Sequence, residues 1–224
     1  MYLPVSVPTH QAGARGSVLD SWFDRHVHRR LSGPLSALAI MWGLRPNTVS
    51  VASLSLGLIG AVCLAYGSAG AAGVGVLLYF ISVVLDHVDG EVARLTHAES
   101  RLGALLDVWI DAIVNAGAVL AMGINARGHG FGPGVSVGFV AATGVMASTF
   151  AVKYWPPNST RTANRALRLV LDMLADRLGF HLTLSAFVVL LVIAPGHLPI
   201  LMMVVAIGSH AYWLARATLS RPLV

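Results

Sequence analysis

The sequence is a series of long apolar stretches with short polar connections. Six stretches each approach the length of about 20 residues that a helix needs to cross the hydrocarbon core of a bilayer. Clusters of Gly, Pro, Asn and Ser separate them, and these residues interrupt helices and form turns. We therefore predict an all-α integral membrane protein with six transmembrane helices. The predicted helices cover residues 48–67, 71–92, 103–125, 134–153, 180–195 and 198–217.

A different pattern precedes the first apolar stretch. Between Leu19 and Trp42, apolar residues recur every three to four positions, while Asp24 and several arginines form a second face. This spacing predicts an amphipathic helix of the kind that lies at a membrane interface. The alternative, a helix packed on a soluble domain, is disfavoured because the remaining sequence offers no such domain. We therefore divide the chain into a cytoplasmic segment with an interfacial helix, residues 1–47, and a six-helix transmembrane domain, residues 48–224.

Composition and charge agree with a membrane protein and indicate its orientation. Of the 224 residues, 56% are hydrophobic and 11% are charged, and the mean hydropathy is +0.73. The net charge of +5 is spread along the edges of the apolar stretches, which favours contact with anionic lipid headgroups over nucleic acid binding. With the N-terminus inside, only Arg127 falls in an outer segment. The positive-inside rule then places both termini, and the connection between the second and third helices, on the cytoplasmic side of a bacterial-type membrane.

Carboxylates are concentrated around that connection. Six of the ten acidic residues lie between positions 86 and 111. Asp86 and Asp89 are three residues apart and Asp107 and Asp111 are four apart, so each pair projects from one face of its helix. The short connection predicts that the two helices are antiparallel neighbours, so all four carboxylates can converge. Because charged groups at membrane depth are costly, they are candidates for function.

Four converging carboxylates need positive charge, and the nearest arginines, Arg94 and Arg101, are too few to neutralise them. Hard divalent cations bound by oxygen ligands solve this problem, and Mg²⁺ or Mn²⁺ suits such ligands better than zinc. Two ions are a reasonable number, because paired metals stabilise both the attacking and the leaving oxygen in phosphoryl displacement.

The segment from Asp86 to Asp111, DHVDGEVARLTHAESRLGALLDVWID, resembles the signature of the CDP-alcohol phosphotransferase family. The pattern is D-x2-D-G-x2-A-R followed by G-x3-D-x3-D, and every fixed position is present. The similarity extends more weakly to the sequence Arg45, Pro46, Asn47 and Thr48, which resembles the Pro-Asn element that begins the first helix of the family and contributes to the CDP pocket.

This resemblance implies specific roles. Asp86, Asp89 and Asp107 would bind metal that also holds the diphosphate, and Asp111 would be both a metal ligand and the general base that deprotonates the acceptor hydroxyl. The remaining motif residues would contact the CDP group, where small side chains allow close approach and arginine meets a phosphate. These expected nucleotide contacts are Asn47, Gly90, Ala93, Arg94 and Gly103. The implied reaction is transfer of a phosphatidyl or other alcohol-phosphate group from a CDP-alcohol to a hydroxyl acceptor, with release of CMP, in phospholipid biosynthesis. The membrane setting implies that at least one substrate is a lipid.

Several alternatives remain open. The four aspartates could instead serve an ion-coupled membrane transporter, where intramembrane carboxylates are also expected. Glu91 could line the site or face solvent, and we expect solvent. The basic residues Arg101, Lys153, Arg161 and Arg165 could form a pocket for a phosphorylated acceptor, although topology and headgroup contact explain them as well. Family members that use phosphorylated acceptors often carry charged residues just after the fourth aspartate, whereas Ala112, Ile113 and Val114 follow Asp111 here. The resemblance therefore disfavours a phosphorylated acceptor and leaves an uncharged alcohol open. Pairs of small residues, such as Ser53 with Gly57 and Ala112 with Ala116, fit either a homodimer seam or packing within the chain.

Overall fold

The structure is a computed structural model that describes residues 29–154 and 180–220. Seven α-helices and one short 3₁₀ turn, Pro195–His197, make up these two ranges, which contain no strand. The helices are numbered α1 to α7 along the chain. They are α1 Arg29–Met41, α2 Pro46–Ala65, α3 Ala69–Leu95, α4 Arg101–Gly128, α5 Gly134–Tyr154, α6 Phe180–Ile193 and α7 Leu198–Ser220.

The predicted all-α membrane class is confirmed at this level. Within the described residues, five segments are long and apolar enough to cross a membrane, namely α2 to α5 and the segment Pro195–Thr218. Helix α6 is apolar but has only 14 residues, shorter than the usual span of about 20. The count of six spans therefore stays a prediction. The first part of the predicted interfacial helix, together with Arg161 and Arg165, lies outside the described residues.

The helix ends follow from local sequence. Ser68 and Ser100 are the N-caps of α3 and α4, and their hydroxyl groups accept the backbone N–H groups of Ala71 and Gly103 at 3.2 and 2.9 Å. Serine is favoured at this position because it satisfies a donor that the helix itself leaves unpaired. Helix α2 begins with Pro46, whose missing N–H costs nothing in a first turn.

Close helix crossings occur where two glycines meet. A Cβ atom on Gly75 of α3 would lie 2.6 Å from the carbonyl oxygen of Gly60 of α2, and one on Gly123 of α4 would lie 2.7 Å from the Cα of Gly138 of α5. In lipid, helices associate through such close packing and through hydrogen bonds rather than through the hydrophobic effect. The predicted small-residue pairs, Ser53 with Gly57 and Ala112 with Ala116, are also buried within this chain.

Reciprocal hydrogen bonds reinforce the contact between α2 and α3. The Ser53 hydroxyl donates to the Ser82 carbonyl at 2.9 Å, and the Ser82 hydroxyl donates to the Ser53 carbonyl at 2.8 Å. Both serines are buried. In this way α2 is fixed against α3 close to the carboxylate-bearing end of α3.

Helices α3 and α4 face each other, as expected from their short connection, and the Tyr79 hydroxyl of α3 donates to Asn115 of α4. Their backbones are not closely packed, and α2 packs on both. The connection spans residues 96–100, which is enough to let the helices separate after the turn. Polar side chains from α3 and α4 occupy the space between them.

Candidate functional site

Three carboxylates meet between α3 and α4. Oxygen atoms of Asp86, Asp89 and Asp107 all lie within 4.8 Å of one another. The spacing of the residues explains this, because Asp86 and Asp89 share one face of α3 and Asp107 faces them from α4. Asp89 is only 5% exposed, so at least one of these charges is removed from solvent.

The surroundings of Asp86 fit a bound cation. Its Oδ1 atom is buried and has no hydrogen-bond partner among the residues that the structure describes. A buried carboxylate oxygen without a donor is costly unless a cation compensates its charge. Oxygen-only ligands from three carboxylates match the preference of Mg²⁺ and Mn²⁺. The residues present therefore fit a divalent metal.

Asp111 and Lys153 complete the charged environment. The carboxylate of Asp86 experiences the charges of Asp89, Asp107 and Asp111, and the opposite charge of the Lys153 ammonium group. Asp111 lies one helical turn beyond Asp107 on the same face of α4 but does not belong to the tight group of three. The Nζ atom of Lys153, near the end of α5, lies 3.5 Å from Oδ2 of Asp107.

The beginning of α2 reaches the same site. The hydroxyl group of Ser50 donates to Oδ2 of Asp89, and it also lies 3.2 Å from the carbonyl oxygen of Pro46. Asn47 is three residues before Ser50, so it lies on the same side of the first turn, and its side chain is exposed. The structure thus brings the expected Asn47 element next to the carboxylates.

The other motif residues line the last turns of α3 and the first turn of α4. A Cβ atom on Gly90 would lie 3.3 Å from Nη1 of Arg94, which shows that the exposed guanidinium group extends along Gly90. A Cβ atom on Gly103 would lie 3.1 Å from the capping hydroxyl of Ser100. Gly103 therefore also has a local reason to be small. Ala93 is half-buried on α3. The nucleotide contacts of these residues stay predictions.

Glu91 does not face solvent as expected. Its carboxylate accepts the hydroxyl groups of Ser32 and Ser36 of α1 at 2.8 and 2.6 Å. Both serines are almost completely buried. Position 91 is variable in the motif, and Ser32 and Ser36 do not contribute to the apolar pattern of α1.

Sequence reasoning also missed a polar pair deeper between α3 and α4. The Tyr79 hydroxyl donates to Oδ1 of Asn115 at 2.6 Å. Asn115 is one helical turn beyond Asp111, and Tyr79 is two turns before Asp86, so both continue the carboxylate faces. Asn115 could have been predicted from the sequence, because the four-residue spacing from Asp107 to Asp111 continues to Asn115. Ser50 could have been found in the same way, three residues after Asn47.

The class of this protein is a helical membrane bundle with a group of carboxylates, at the ends of two helices, that fits a divalent cation. Comparison with known families identifies the family within it. The model of the family named CDP-alcohol phosphatidyltransferase matches residues 43–166, more than half of the chain. This protein belongs to that family, and the resemblance based on the motif is confirmed.

Individual relatives agree with this assignment. The fold is similar to that of phosphatidylinositol phosphate synthase from Mycobacterium tuberculosis with CDP-DAG bound, with a TM-score of 0.63 and 18% identity over 87% of this chain and 100% of that one. A bifunctional IPC transferase and DIPP synthase from Thermococcus kodakarensis is 36% identical over 103 residues, 46% of this chain and 22% of the relative. A protein of the same name from Rubrobacter xylanophilus is 29% identical over 150 residues, 65% of this chain and 32% of the relative. The chain therefore matches about a fifth to a third of the length of these two relatives.

Proposed function

We propose that this protein transfers a phosphatidyl or other alcohol-phosphate group from a CDP-alcohol to a hydroxyl acceptor, releasing CMP, in phospholipid biosynthesis. The observation that carries the proposal is the meeting of Asp86, Asp89 and Asp107 within 4.8 Å between two membrane helices. The family assignment supports the reaction class, and the name of the mycobacterial neighbour supports a CDP-linked lipid as donor.

The proposed reaction is a direct displacement. The acceptor oxygen forms a bond to the phosphorus that carries the donor alcohol, and the bond between this phosphorus and the oxygen bridging to CMP breaks. CMP leaves with that bridging oxygen and its electron pair. Asp111 takes the proton of the acceptor hydroxyl and later releases it to water, which is general base catalysis. No covalent intermediate with the protein is required.

Asp86, Asp89, Asp107 and Asp111 would hold the metal, which we propose to be two Mg²⁺ or Mn²⁺ ions. When bound, such ions supply positive charge that offsets the charge of the diphosphate and of the CMP leaving group. The chain itself positions the carboxylates, and Ser50 orients Asp89 through its hydrogen bond.

The CDP group would bind at the open end of the carboxylate site. The first turn of α2, with Asn47, lies at this end, and helix N-termini favour phosphate groups. Arg94 lies along Gly90 and would meet a phosphate with its planar guanidinium group. Ala93 and Gly103 would leave room for the nucleotide.

The acceptor is the least constrained substrate. Lys153 lies beside Asp107 and could meet an acceptor phosphate, whereas the apolar residues after Asp111 favour an uncharged alcohol. A panel of acceptors, each assayed with CDP-diacylglycerol, distinguishes these two classes of acceptor. It compares CMP release with glycerol phosphate and inositol phosphate against CMP release with glycerol and inositol. A K153Q variant should raise the KM only of a phosphorylated acceptor, and an unchanged KM would remove Lys153 from the acceptor site.

The proposed arrangement in the membrane has six spans and a cytoplasmic active site. Helix α6 would contribute to a sixth span, α1 would lie at the interface, and the carboxylate end of the bundle would face the cytoplasm, with residues 48–224 as one catalytic domain. In a C63S background, a cysteine at Glu99 should react with impermeant reagents only from the cytoplasmic side, and one at Tyr66 only from outside. The reverse labelling would overturn the orientation.

The central experiment measures CMP release by purified protein from CDP-diacylglycerol. Activity should disappear with chelator and return with Mg²⁺ or Mn²⁺. Asp111→Asn should lower kcat by about 100-fold or more while donor binding persists, because general base catalysis contributes on this scale. Glu99→Gln is the matched control, since Glu99 is exposed on the α3–α4 connection. Full activity in chelator, or in D111N, would contradict the proposal. No described feature favours the transporter alternative, which vesicle uptake assays would detect.

A further inference from the structure

We propose that Glu91 is a positioning residue, which clamps α1 onto α3 and thereby sets the place of the α2 N-terminus that meets the CDP donor. The inference rests on the function proposed above. Glu91 stands at a variable position of the motif. In the hydrogen bonds of the described residues, its side chain contacts α1 and none of the clustered aspartates.

The clamp consists of three side chains. Ser32 and Ser36 are four residues apart, so their hydroxyl groups project from one face of α1 and reach the two oxygens of a single carboxylate. Their relative exposures are 0% and 1%. Two hydroxyl donors on one carboxylate form charge-assisted hydrogen bonds, which are stronger than bonds between neutral groups.

The opposite face of α1 shows why this polar contact matters. Leu31 and Leu35 are 44% and 39% exposed, so large apolar side chains of α1 point away from the protein. Besides the clamp, the described residues hold α1 through a small apolar cluster in which Ala39 packs with Val49, Val88 and Val92. A helix whose large side chains face outward depends on hydrogen bonds and small-residue contacts for its placement.

The position of α1 is transmitted to the site through a tight turn. Only residues 42–44 separate the last residue of α1 from Arg45, the N-cap of α2. The N–H of Leu44 donates to the carbonyl of Ala39 at 2.9 Å, and Gly43 has a left-handed φ of 65° that glycine adopts without strain. A displacement of α1 therefore moves the beginning of α2.

The beginning of α2 is consequently fixed at two points. Glu91 holds it through α1, and Ser50 holds it directly on Asp89. Asn47 lies between these two points on the first turn of α2. Loss of the clamp leaves the carboxylates in place but loosens the Asn47 turn, so donor binding should suffer more than the chemical step.

The experiment compares Glu91→Ala with Glu91→Gln in the CMP release assay. Alanine removes both bonds. Glutamine keeps them, because its amide has an acceptor and a donor, and each serine hydroxyl can act in either role. E91A should raise the KM for the CDP donor about 10-fold, the scale of losing hydrogen bonds to a charged group, with kcat within about threefold of wild type. E91Q should restore both constants to within about threefold.

The serines provide an independent test. The double variant S32A/S36A should reproduce E91A, and adding E91A to it should cause no further loss, because all three residues act in one contact. If the E91A variant does not fold, S32A/S36A tests the same contact while Glu91 is retained. The KM for the donor should then rise by the same factor as expected for E91A.

Three results would overturn the proposal. The first is a wild-type KM for the donor in both E91A and S32A/S36A. The second is a loss of kcat in these variants without a change in KM. The third is an E91Q variant that is as impaired as E91A, because this result would assign the function to the charge of Glu91. Each requires an active wild-type protein. Failure of the proposed function is recognised separately, because the wild-type chain would then release no CMP at all.

Discussion

Replacing Ser50 by alanine tests whether the carboxylates form a metal site that is supported from α2. The Ser50 hydroxyl lies between the carbonyl oxygen of Pro46 and Oδ2 of Asp89, and its single proton can serve only one acceptor well. The carboxylate is the stronger acceptor because the bond is charge-assisted. Ser50→Ala therefore removes a group that orients Asp89, which is 5% exposed and cannot turn to water instead.

The expected loss of metal affinity follows from the free energy of the lost hydrogen bond and from the charge that a bound cation compensates. Loss of a hydrogen bond to a charged group costs about 1.5–3 kcal/mol when nothing replaces it. A bound cation compensates part of the Asp89 charge, so the lower end applies, and about 1.4 kcal/mol corresponds to a tenfold change in affinity. This agrees with the loss of about 10-fold to 100-fold that follows removal of residues supporting a metal ligand. We expect the Mg²⁺ concentration for half-maximal CMP release to rise about 10-fold.

The assay needs a readout besides turnover and a matched serine. Stabilisation of the protein against heat by Mn²⁺ should require about 10-fold more metal in S50A than in wild type. Ser55 lies on the same helix, and its hydroxyl donates to the Val51 carbonyl at 2.8 Å in an exposed position, so S55A should change neither quantity. Ser50→Thr keeps the hydroxyl and should remain close to wild type. An unchanged metal requirement in S50A, or an equal shift in S55A, would refute the reasoning.

Two further predictions concern the packing that holds the site. Gly75→Ala should lower the unfolding free energy by about 1–3 kcal/mol through overpacking against Gly60, measured by thermal melts. Gly73→Ala is the control, because a Cβ atom there would have no other atom within 4 Å, and this change should be neutral or slightly stabilising. Tyr79→Phe should cost about 1 kcal/mol because the carboxamide oxygen of half-buried Asn115 loses its donor, while Tyr66→Phe is the exposed control. Equal melting temperatures within either pair would contradict the packing described here.

The helix positions could be predicted because hydropathy and helix-breaking residues both act along the chain. The stretch predicted at 48–67 is α2, Pro46–Ala65, and the one predicted at 103–125 is α4, Arg101–Gly128. The small differences at the ends come from capping, since Ser100 extends α4 toward the turn and Pro46 starts α2 early. Length and composition were sufficient for this level of description.

The site could be predicted in part, because regular spacing determines which carboxylates share a helix face. That argument places Asp86 with Asp89, and it correctly brought Asp107 to them. Ser50 was missed because its spacing signal, three residues after Asn47, lies on a different helix from the carboxylates. Regular spacing also failed at Glu91, because the rotation of α1 depends on Ser32 and Ser36, which carry no hydrophobic signal.

The rotation of membrane helices is difficult to read from sequence because the burial rule of soluble proteins does not hold in lipid. In α2, the buried positions are mostly small, including Ser53, Gly57 and Gly60, while large residues such as Val62 and Ile59 are exposed. A large apolar side chain gains little by moving from lipid to the protein interior, whereas a small one allows two backbones to approach. The pattern of small residues therefore indicates the inner face better than hydrophobicity does.

The same packing explains why the carboxylates have space to act. Helix α2 is narrow where it carries Ser53 and Gly57, so it can lie against α3 and α4 at once, with Gly57 directly beside Val114 and Ser82. Because α2 occupies one side of both helices, α3 and α4 cannot close on each other, and their polar faces remain apart. Tyr79 and Asn115 bridge this space deeper in the bundle, and the aspartates occupy it nearer the α3–α4 connection. A bulky residue at position 57 should therefore disturb the distance between Asp86 and Asp107, although Gly57 touches neither of them.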